Sequence, residues 1–309
     1  MASNNNSNNI ILQEEYGIEY NPDYFGTFCK KRIPRDTLLL VEEPYLCGEE
    51  IDGVIALHES GQLESQTDDD DYLVQTIKLQ NYQREEIWSL HDQFTSTNND
   101  EKRLLGVIKS NAYWSTDCHG LALYPLISRL NHSCKPNIGY GFDGWKMRLF
   151  TTRDIEPGEE LTSCYSDVVL IHPRTTRMGY LKAKFNFDCQ CDGCSSEQHC
   201  PESDVKRDRL RFLAGMLGND ISRDETAIKD GHLKILLESI KLMQEESLDT
   251  TLTSTYALAT RWAIKLGKDQ SVVEELSRKC MIMLELSKGP NHTDTEEFRE
   301  LITSYEICS

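Results

Sequence analysis

Three cysteines within six residues constrain this chain more than any other feature of its sequence. They form the run Cys189-Gln-Cys191-Asp-Gly-Cys194. Three free thiols in one loop are reactive, whereas three thiolates at this spacing can bind one tetrahedral zinc ion. The spacing therefore predicts a zinc site. Zinc needs a fourth ligand, and the spacing alone leaves two nearby candidates and one distant candidate: His199, Cys200 and Cys134.

The cysteine count, the N-terminal sequence, the apolar runs and the net charge argue against several classes of protein. The chain has 309 residues, 11 of them cysteine, and its N-terminus, MASNNNSNNIILQEE, lacks the pattern of a secretory signal. We therefore expect reduced thiols in an intracellular protein, cytoplasmic, nuclear or both. The longest strongly apolar run, residues 38–41, is far shorter than the roughly 18 residues that span a bilayer. A net charge of −18 disfavours direct binding to nucleic-acid phosphates.

The negative charge is concentrated in one stretch. Residues 42–101 contain 16 acidic side chains but only Lys78 and Arg84 as basic ones, a net charge of −14. Within this stretch, Asp68–Asp71 is a run of like charges that is typical of a solvated, partly disordered loop. The other interpretation is an acidic surface that attracts a lysine-rich partner.

Hydrophobic periodicity separates a mixed first part from a helical second part. The pattern predicts strands at residues 37–41, 145–151 and 160–164, and helices between residues 72 and 110. After about residue 203, apolar residues recur at helical spacing in every segment. The predicted helices there are 205–218, 225–247, 251–267, 270–288 and 294–307.

Four motifs resemble those of SET-domain lysine methyltransferases, in that family's order. Residues 129–137, RLNHSCKPN, resemble the N-H-S-C-x-P-N signature, and residues 154–165, DIEPGEELTSCY, resemble the G-E-E-L-x-x-x-Y signature. The F-x-C-x-C-x2-C pattern of residues 187–194 resembles the post-SET zinc motif. Residues 26–38 resemble the opening strand pair, so the motifs together extend over residues 24–194.

The early insertion and the helical tail are similar to the SMYD group, in which a TPR-like helical domain follows the SET core. The implied fold is α+β: a SET β-fold core of short strands with a helical insertion and a post-SET zinc motif, then an all-α TPR-like C-terminal domain. Residues 47–110 contain only Cys47, so the chain resembles a SMYD-type protein without its MYND finger. The predicted boundaries are 1–15 for a disordered N-terminus, 16–184 for the SET domain with its acidic insertion at about 47–110, 185–202 for the zinc segment and 203–309 for the helical domain.

The resemblance implies a protein-lysine N-methyltransferase that uses S-adenosylmethionine, with a histone or another protein as substrate. The transfer is an in-line displacement, so the site must align the groups and exclude water. Desolvation lowers the pKa of the lysine amine and favours its reactive neutral form. The cofactor carries the reactive group, so zinc would be structural. We expect a lysine-bearing protein as the substrate partner. We also expect that the chain does not associate with a membrane and that it is a monomer.

The matched motifs imply the roles of individual residues. Tyr165 would be the catalytic tyrosine, and Phe185 would line the lysine channel. Cys134 becomes the preferred fourth zinc ligand, beside Cys189, Cys191 and Cys194. The implied cofactor contacts are Tyr24, Phe25, Gly26, Asn111, Asn131, His132, Tyr165 and Phe187.

Two residues depart from the family pattern. Tyr24 stands where the family has a glycine that permits positive φ, and a tyrosine there would narrow or reshape the cofactor pocket, so either the loop is remodelled or cofactor affinity is reduced. Phe185 stands where a tyrosine is common, which would change the number of methyl groups added. The alternative function is a zinc-stabilised scaffold with a catalytically weakened SET core, whose helical tail binds a partner.

Overall fold

The computed structural model describes residues 13–94, 103–166, 170–195, 200–221, 230–248 and 252–308. The strands are short, with none longer than six residues among the described ranges. They are β1 (Glu19–Asn21), β2 (Gly26–Phe28), β3 (Leu38–Glu42), β4 (Leu46–Cys47), β5 (Tyr113–Ser115), β6 (Gly120–Leu123), β7 (Asn131–His132), β8 (Ile138–Asp143), β9 (Lys146–Thr151) and β10 (Glu160–Ser163). The predicted strands at residues 37–41, 145–151 and 160–164 are confirmed as β3, β9 and β10.

The helices fall into three groups along the chain. The first comprises α1 (Gln13–Tyr16), then α2 (Glu49–Glu59), α3 (Gln66–Gln75), α4 (Asn81–Ser89) and α5 (Leu104–Asn111). The second comprises α6 (Arg174–Phe185) and the short α7 (Asp192–Ser195), and a 3₁₀ turn lies earlier at Ile127–Arg129. The third comprises α8 (Cys200–Ile221), α9 (Asp230–Glu245), α10 (Leu252–Lys265), α11 (Gln270–Ser287) and α12 (Thr293–Cys308).

The strands form three small sheets, in the orders β1-β2-β10-β7, β3-β9-β8 and β4-β6-β5. Every pairing within them is antiparallel except that of β7 with β10, which is parallel. In that pair Asn131 lies opposite Thr162, and His132 lies opposite Ser163. The two signature motifs, about 30 residues apart in sequence, are thus side by side. Apolar residues of these strands fill one core, among them Ile33, Leu39, Tyr124, Ile127, Ile138 and Leu149.

The insertion between β4 and β5 is helical, as its periodicity predicts. Helices α2 to α5 bury their own apolar cluster against β4 and β6, with Ile51, Leu73, Ile87 and Val107 fully buried. The predicted helices between residues 72 and 110 are therefore confirmed where the structure describes them; residues 95–102 lie outside its described ranges. The predicted disorder of residues 1–15 concerns mainly residues 1–12, which also lie outside those ranges, and residues 13–16 form α1.

The prediction of a solvated loop at Asp68–Asp71 is wrong, because the run lies inside α3. Asp68 closes a capping box with Ser65 at the start of this helix, where a carboxylate also interacts favourably with the helix dipole. Asp69 is fully buried, and its Oδ2 accepts hydrogen bonds from Arg103 Nε (2.9 Å) and the Leu104 amide (3.0 Å). Like charges are tolerated here because they point to different partners.

Asp70 is the third residue of this run with partners of its own. It accepts a hydrogen bond from the Trp88 indole over 3.0 Å and pairs with Arg84, so it ties α3 to α4. Asp71 alone in the run is exposed. The acidic run therefore holds the insertion together, and only Asp71 faces solvent freely.

The helical domain that follows also agrees with the sequence pattern. The predicted apolar faces meet in one buried cluster, to which α9 contributes Leu233 and Ile240 and α11 contributes Val273 and Cys280. The five predicted helices are confirmed in their described parts. None of the helices that the structure describes is both long enough and apolar enough to cross a bilayer.

The C-terminal end of α11 docks on the hairpin of β8 and β9. A side chain at Gly141 would collide with Ser287, since its Cβ would lie 2.3 Å from the Ser287 carbonyl oxygen. Arg148 Nε donates to the Leu286 carbonyl over 2.9 Å, which satisfies a group that has no partner within the helix. Asp117 pairs with Lys288 just beyond the helix. These contacts join the helical domain to the strand core.

We expect Asp69→Ala to destabilise the protein by about 2–4 kcal/mol, because it removes the acceptor of Arg103 and leaves buried donors unpaired. Urea unfolding followed by circular dichroism measures the change. The matched control is Asp71→Ala, two residues along the same helix, which should leave the unfolding midpoint unchanged. Equal effects of the two substitutions would contradict this account of the acidic run.

Candidate functional site

A cavity of about 1130 Å³ lies where the signature motifs meet. Its walls come from β7 and the loop after it, from β10 and Tyr165, from the segment between α6 and α7, and from the end of α4 with its following loop. The predicted contacts Phe25, Asn111, Asn131, His132, Tyr165, Phe185 and Phe187 all line it. Tyr24 and Gly26 are not among the lining residues.

Gly26 lies beneath a polar pair at the edge of the cavity. Asn131 Nδ2 donates to Glu160 Oε1 over 2.7 Å. A Cβ at Gly26 would lie 2.4 Å from that carboxylate oxygen and 3.2 Å from Asn131 Nδ2. Glycine is thus required at this position so that Asn131 and Glu160 can lie over β2.

The turn between β1 and β2 agrees with a remodelled loop, one of the two alternatives for Tyr24. Tyr24 is 73% exposed, and its ring lies outside the cavity lining. The left-handed conformation occurs one residue later, at Phe25, with a φ of 49°. This conformation is uncommon for a bulky residue and directs Phe25, itself 69% exposed, to the rim of the cavity.

Tyr165 is held at three points. Its hydroxyl donates to the Leu130 carbonyl over 2.9 Å, and its amide donates to His132 Nδ1 over 3.1 Å. Its ring lies 5.3 Å from that of Phe185 and 6.2 Å from that of Phe187. Burial raises the pKa of the Tyr165 phenol well above its usual range. The phenol is therefore neutral at physiological pH, and its oxygen lone pairs are available to orient a donor in the cavity.

Tyr180 is a residue of this aromatic group that the sequence reasoning missed. Its ring lies 6.4 Å from that of Phe185, and its hydroxyl accepts a hydrogen bond from Ser166 over 3.2 Å. Both rings belong to the last two turns of α6, which ends at Asn186 in a left-handed conformation. Tyr180 thus packs its ring edge-on against that of Phe185 and is itself not among the residues that line the cavity.

The structure brings Cys134 to the three clustered cysteines. The four sulfur atoms lie within 4.8 Å of one another, with 3.3 Å between Cys189 and Cys191 and 3.6 Å between Cys194 and Cys134. Four sulfurs at about 2.3 Å from a tetrahedral zinc ion are about 3.8 Å apart, so this cluster fits zinc. Of the other candidates, His199 and the side chain of Cys200 lie outside the described part of the chain.

The surroundings of the cluster favour a thiolate at Cys191. Hydrogen bonds from Cys134, Cys189 and Cys194 lower the pKa of the Cys191 thiol far below its usual value. The Cys134 amide also donates to Cys191 Sγ over 3.3 Å. The buried guanidinium of Arg177 lies 3.8 Å from Cys194 Sγ and balances negative charge there. These donors suit a site that can hold a zinc ion.

His132 connects the cysteine cluster to Tyr165. Its Nδ1 accepts from the Tyr165 amide, so the proton of the neutral ring lies on Nε2, which is 3.3 Å from Cys134 Sγ. Burial lowers the pKa of His132 to about 4, so the ring is neutral at physiological pH. His132 lines the cavity, and its side chain has a structural role that the motif did not indicate.

Two further residues position the motif segments without having been predicted. Buried Glu42 accepts hydrogen bonds from the amides of Leu126 and Ile127, each over 2.9 Å, and so holds the turn before β7; burial raises its pKa to about 8. Asn137 donates to the Glu160 carbonyl (2.7 Å) and accepts from the Thr162 amide (2.8 Å). Asn137 lies within the first signature, which was the available signal; Glu42 has no sequence signal.

Asn111 lines the cavity but is engaged with the backbone. Its Nδ2 donates to the carbonyls of His91 (2.6 Å) and Val107 (2.7 Å). It therefore fixes the loop after α4 as one wall of the cavity.

Purified protein should contain one zinc ion per chain, measured by inductively coupled plasma mass spectrometry. We expect Cys194→Ser to lower the zinc content strongly, because one of four ligands is lost. Cys118→Ser is the control, since Cys118 is partly buried outside the cluster and should leave zinc content unchanged. Equal zinc content in all three proteins would contradict the assignment.

Residues 24–166 match the family model described as the SET domain. Over 78 residues the chain is 44% identical to Histone-lysine N-methyltransferase SMYD3 of Homo sapiens, which covers 25% of this chain and 18% of that protein. Over 217 residues it is 24% identical to Protein-lysine N-methyltransferase SMYD4 of Pongo abelii, which covers 56% of this chain and 26% of that protein. These matches confirm the predicted resemblance, and with the helices that follow they confirm the α+β fold class.

The matched segments span about a quarter or less of these relatives' own lengths. The chain also aligns with a solved SET domain of LSMT bound to lysine and AdoHcy, covering 96% of this chain and 89% of that one. The sequence identity is 12% and the TM-score is 0.37, a likeness too low to bear on the ligands of this chain.

Proposed function

We propose that this chain is a protein-lysine N-methyltransferase that uses S-adenosylmethionine, since residues 24–166 match the SET-domain model. The observation that carries the proposal is the parallel pairing of β7 with β10. It places Asn131, His132 and Tyr165 around one cavity, which Phe185 and Phe187 also line. The substrate would be a lysine side chain of another protein.

The cavity suits the expected cofactor together with a lysine side chain. At about 1130 Å³ it is larger than the roughly 300–1,000 Å³ of an ordinary ligand pocket. The Asn131 amide and the Glu160 carboxylate supply polar partners at one end, and the rings of His132 and Phe187, 5.8 Å apart, supply an apolar surface. When bound, S-adenosylmethionine supplies an electrophilic methyl group.

The residues of the chain would orient and desolvate the amine. The rings of Tyr165, Phe185 and Phe187 exclude water, which disfavours a charged ammonium and lowers the pKa of the amine. The Tyr165 hydroxyl, fixed by its bond to the Leu130 carbonyl, keeps its lone pairs for a polarised group in the cavity. Its raised pKa argues against a role as general base, so its contribution would be positioning and electrostatic.

We expect Tyr165→Phe to lower the rate of methyl transfer to lysine about 100-fold or more, because the oriented oxygen is lost. Radiolabelled S-adenosylmethionine and a mixture of lysine-bearing proteins measure the rate. S-adenosylhomocysteine should bind the variant with nearly unchanged affinity in calorimetry, which separates chemistry from binding. An equally fast variant, or a wild type that labels none of the offered proteins, would contradict the proposal.

The position of Tyr24 leads to a second expectation. Because its ring is exposed, Tyr24→Ala should change the Kd for S-adenosylhomocysteine less than about twofold. Gly26→Ala should weaken binding at least about tenfold, because the new Cβ displaces Glu160 from Asn131. Calorimetric titration of both variants measures this difference, and a larger effect at Tyr24 than at Gly26 would overturn our account of the turn.

The scaffold hypothesis was based on Tyr24. Because that side chain is exposed, Tyr24 no longer supports the scaffold hypothesis. Calorimetry also distinguishes the two functions, since a scaffold that has lost its cofactor site gives no heat with S-adenosylhomocysteine. We also propose an intracellular location, cytoplasmic, nuclear or both, where thiols such as those of the cysteine cluster stay reduced. The predicted boundaries, the monomeric state, the missing MYND finger, the TPR-like character and the lack of direct nucleic-acid binding stay predictions.

A further inference from the structure

Arg207 of α8 is fully buried, and each of its three guanidinium nitrogens donates at least one hydrogen bond. Its Nε donates to Glu246 Oε2 (3.1 Å) and to Ser203 Oγ (3.2 Å). Its Nη1 donates to the Leu170 carbonyl, and its Nη2 donates to the Cys134 carbonyl over 2.8 Å. A buried charge is tolerated only when it is paired and hydrogen-bonded, and Glu246 meets that need within the helical domain. The hydrogen bonds to Leu170 and Cys134 reach residues that precede the helical domain.

The bond from Arg207 is aimed at the loop that carries both a metal ligand and a wall of the cavity. Cys134 contributes one of the four clustered sulfurs, and the next residue, Lys135, lines the cavity. Lys135 Nζ lies 3.7 Å from Glu246 Oε2. The buried pair of Arg207 and Glu246 thus holds two consecutive residues of this loop.

The neighbouring residue on α8 reaches the other side of the cysteine cluster. Asp204 accepts from the Arg174 amide over 2.7 Å and lies 3.6 Å from Arg177 Nη1. Arg177 Nη2 in turn donates to the Gly193 carbonyl over 2.9 Å and lies 3.8 Å from Cys194 Sγ. Helix α8 is therefore linked to the cluster directly at Cys134, through Arg207, and indirectly at Cys194, through Asp204 and Arg177.

The charges are consistent with this arrangement. Four thiolates around one Zn²⁺ carry a net charge of about −2. Two fully buried guanidinium groups, those of Arg177 and Arg207, lie beside them, and Glu246 balances part of that positive charge. Outer partners of this kind orient metal ligands and tune the site.

We propose that Arg207 is a positioning residue through which the helical domain completes the zinc and cofactor sites. By fixing the Cys134 carbonyl, it holds the Cys134 sulfur in the cluster. The loop follows directly on β7, whose His132 accepts from the Tyr165 amide through Nδ1. Loosening of Cys134 therefore reaches both the metal site and Tyr165. The cofactor part of this inference rests on the proposed function, whereas the zinc part does not.

The discriminating substitution is Arg207→Lys. A lysine keeps the charge that pairs with Glu246, but its single ammonium cannot reach Glu246, Leu170 and Cys134 together. We expect zinc release to an excess of a colorimetric chelator to become at least about tenfold faster. The Kd for S-adenosylhomocysteine should rise about tenfold, while the thermal unfolding midpoint of the zinc-loaded protein falls by only a few degrees.

Two control variants separate the bonds from Arg207 to the Leu170 and Cys134 carbonyls from the rest of the polar group. Ser203→Ala removes a buried hydrogen bond from the same polar group but leaves Arg207 in contact with Cys134. Arg209→Lys changes an exposed arginine two residues along the helix, which pairs with Glu238. Neither control should change the rate of zinc release or the Kd for S-adenosylhomocysteine by more than about twofold.

A double variant covers the case in which Arg207→Lys does not fold. Arg207→Met with Glu246→Gln removes both charges, so no buried charge is left unpaired. It should fold and release zinc as fast as the lysine variant does. Zinc release at the wild-type rate from a folded Arg207 variant would overturn the inference, as would equal acceleration in Ser203→Ala. Failure of the wild type to bind S-adenosylhomocysteine would overturn the proposed function and leave the zinc comparison valid.

Discussion

The parallel pairing of β7 with β10 is the contact on which the site depends. It is only two residues long, with Asn131 opposite Thr162 and His132 opposite Ser163. Asn137 stabilises it by bonding the backbone of β10 on both sides of Leu161. Since the chain continues from β7 to Cys134 and from β10 to Tyr165, one short ladder sets the distance between the cysteine cluster and the aromatic wall.

Much of this arrangement could be predicted from the sequence. The two signatures indicated which segments meet, and the cysteine spacing indicated a metal site with Cys134 among its candidate ligands. Helical periodicity also identified the insertion and the C-terminal domain. These predictions succeeded because each depends on the spacing of residues within a short segment. Such a spacing indicates a helix, a strand or a metal site without knowledge of the distant contacts.

The features that the sequence did not indicate depend on distant partners or on backbone geometry. The run Asp68–Asp71 is typical of a solvated loop only while its partners are unknown; Arg103, 34 residues from Asp69, makes it part of a buried polar group. The position of Tyr24 depends on the backbone of a four-residue turn, in which the left-handed residue is Phe25. Arg207 and Glu42 act through backbone carbonyls and amides, which no side-chain motif records.

The cysteine cluster also joins segments that are far apart along the chain. A metal ion that ties Cys134 to Cys189 closes a loop of about 55 residues, which contains β8, β9, β10 and α6. A metal ion binds the four sulfurs as the folded chain arranges them and not the unfolded chain, so its binding free energy adds to the stability of the segments that it joins. The metal content of the medium in which this protein folds would therefore set how cooperatively its strand core and its helical domain come apart.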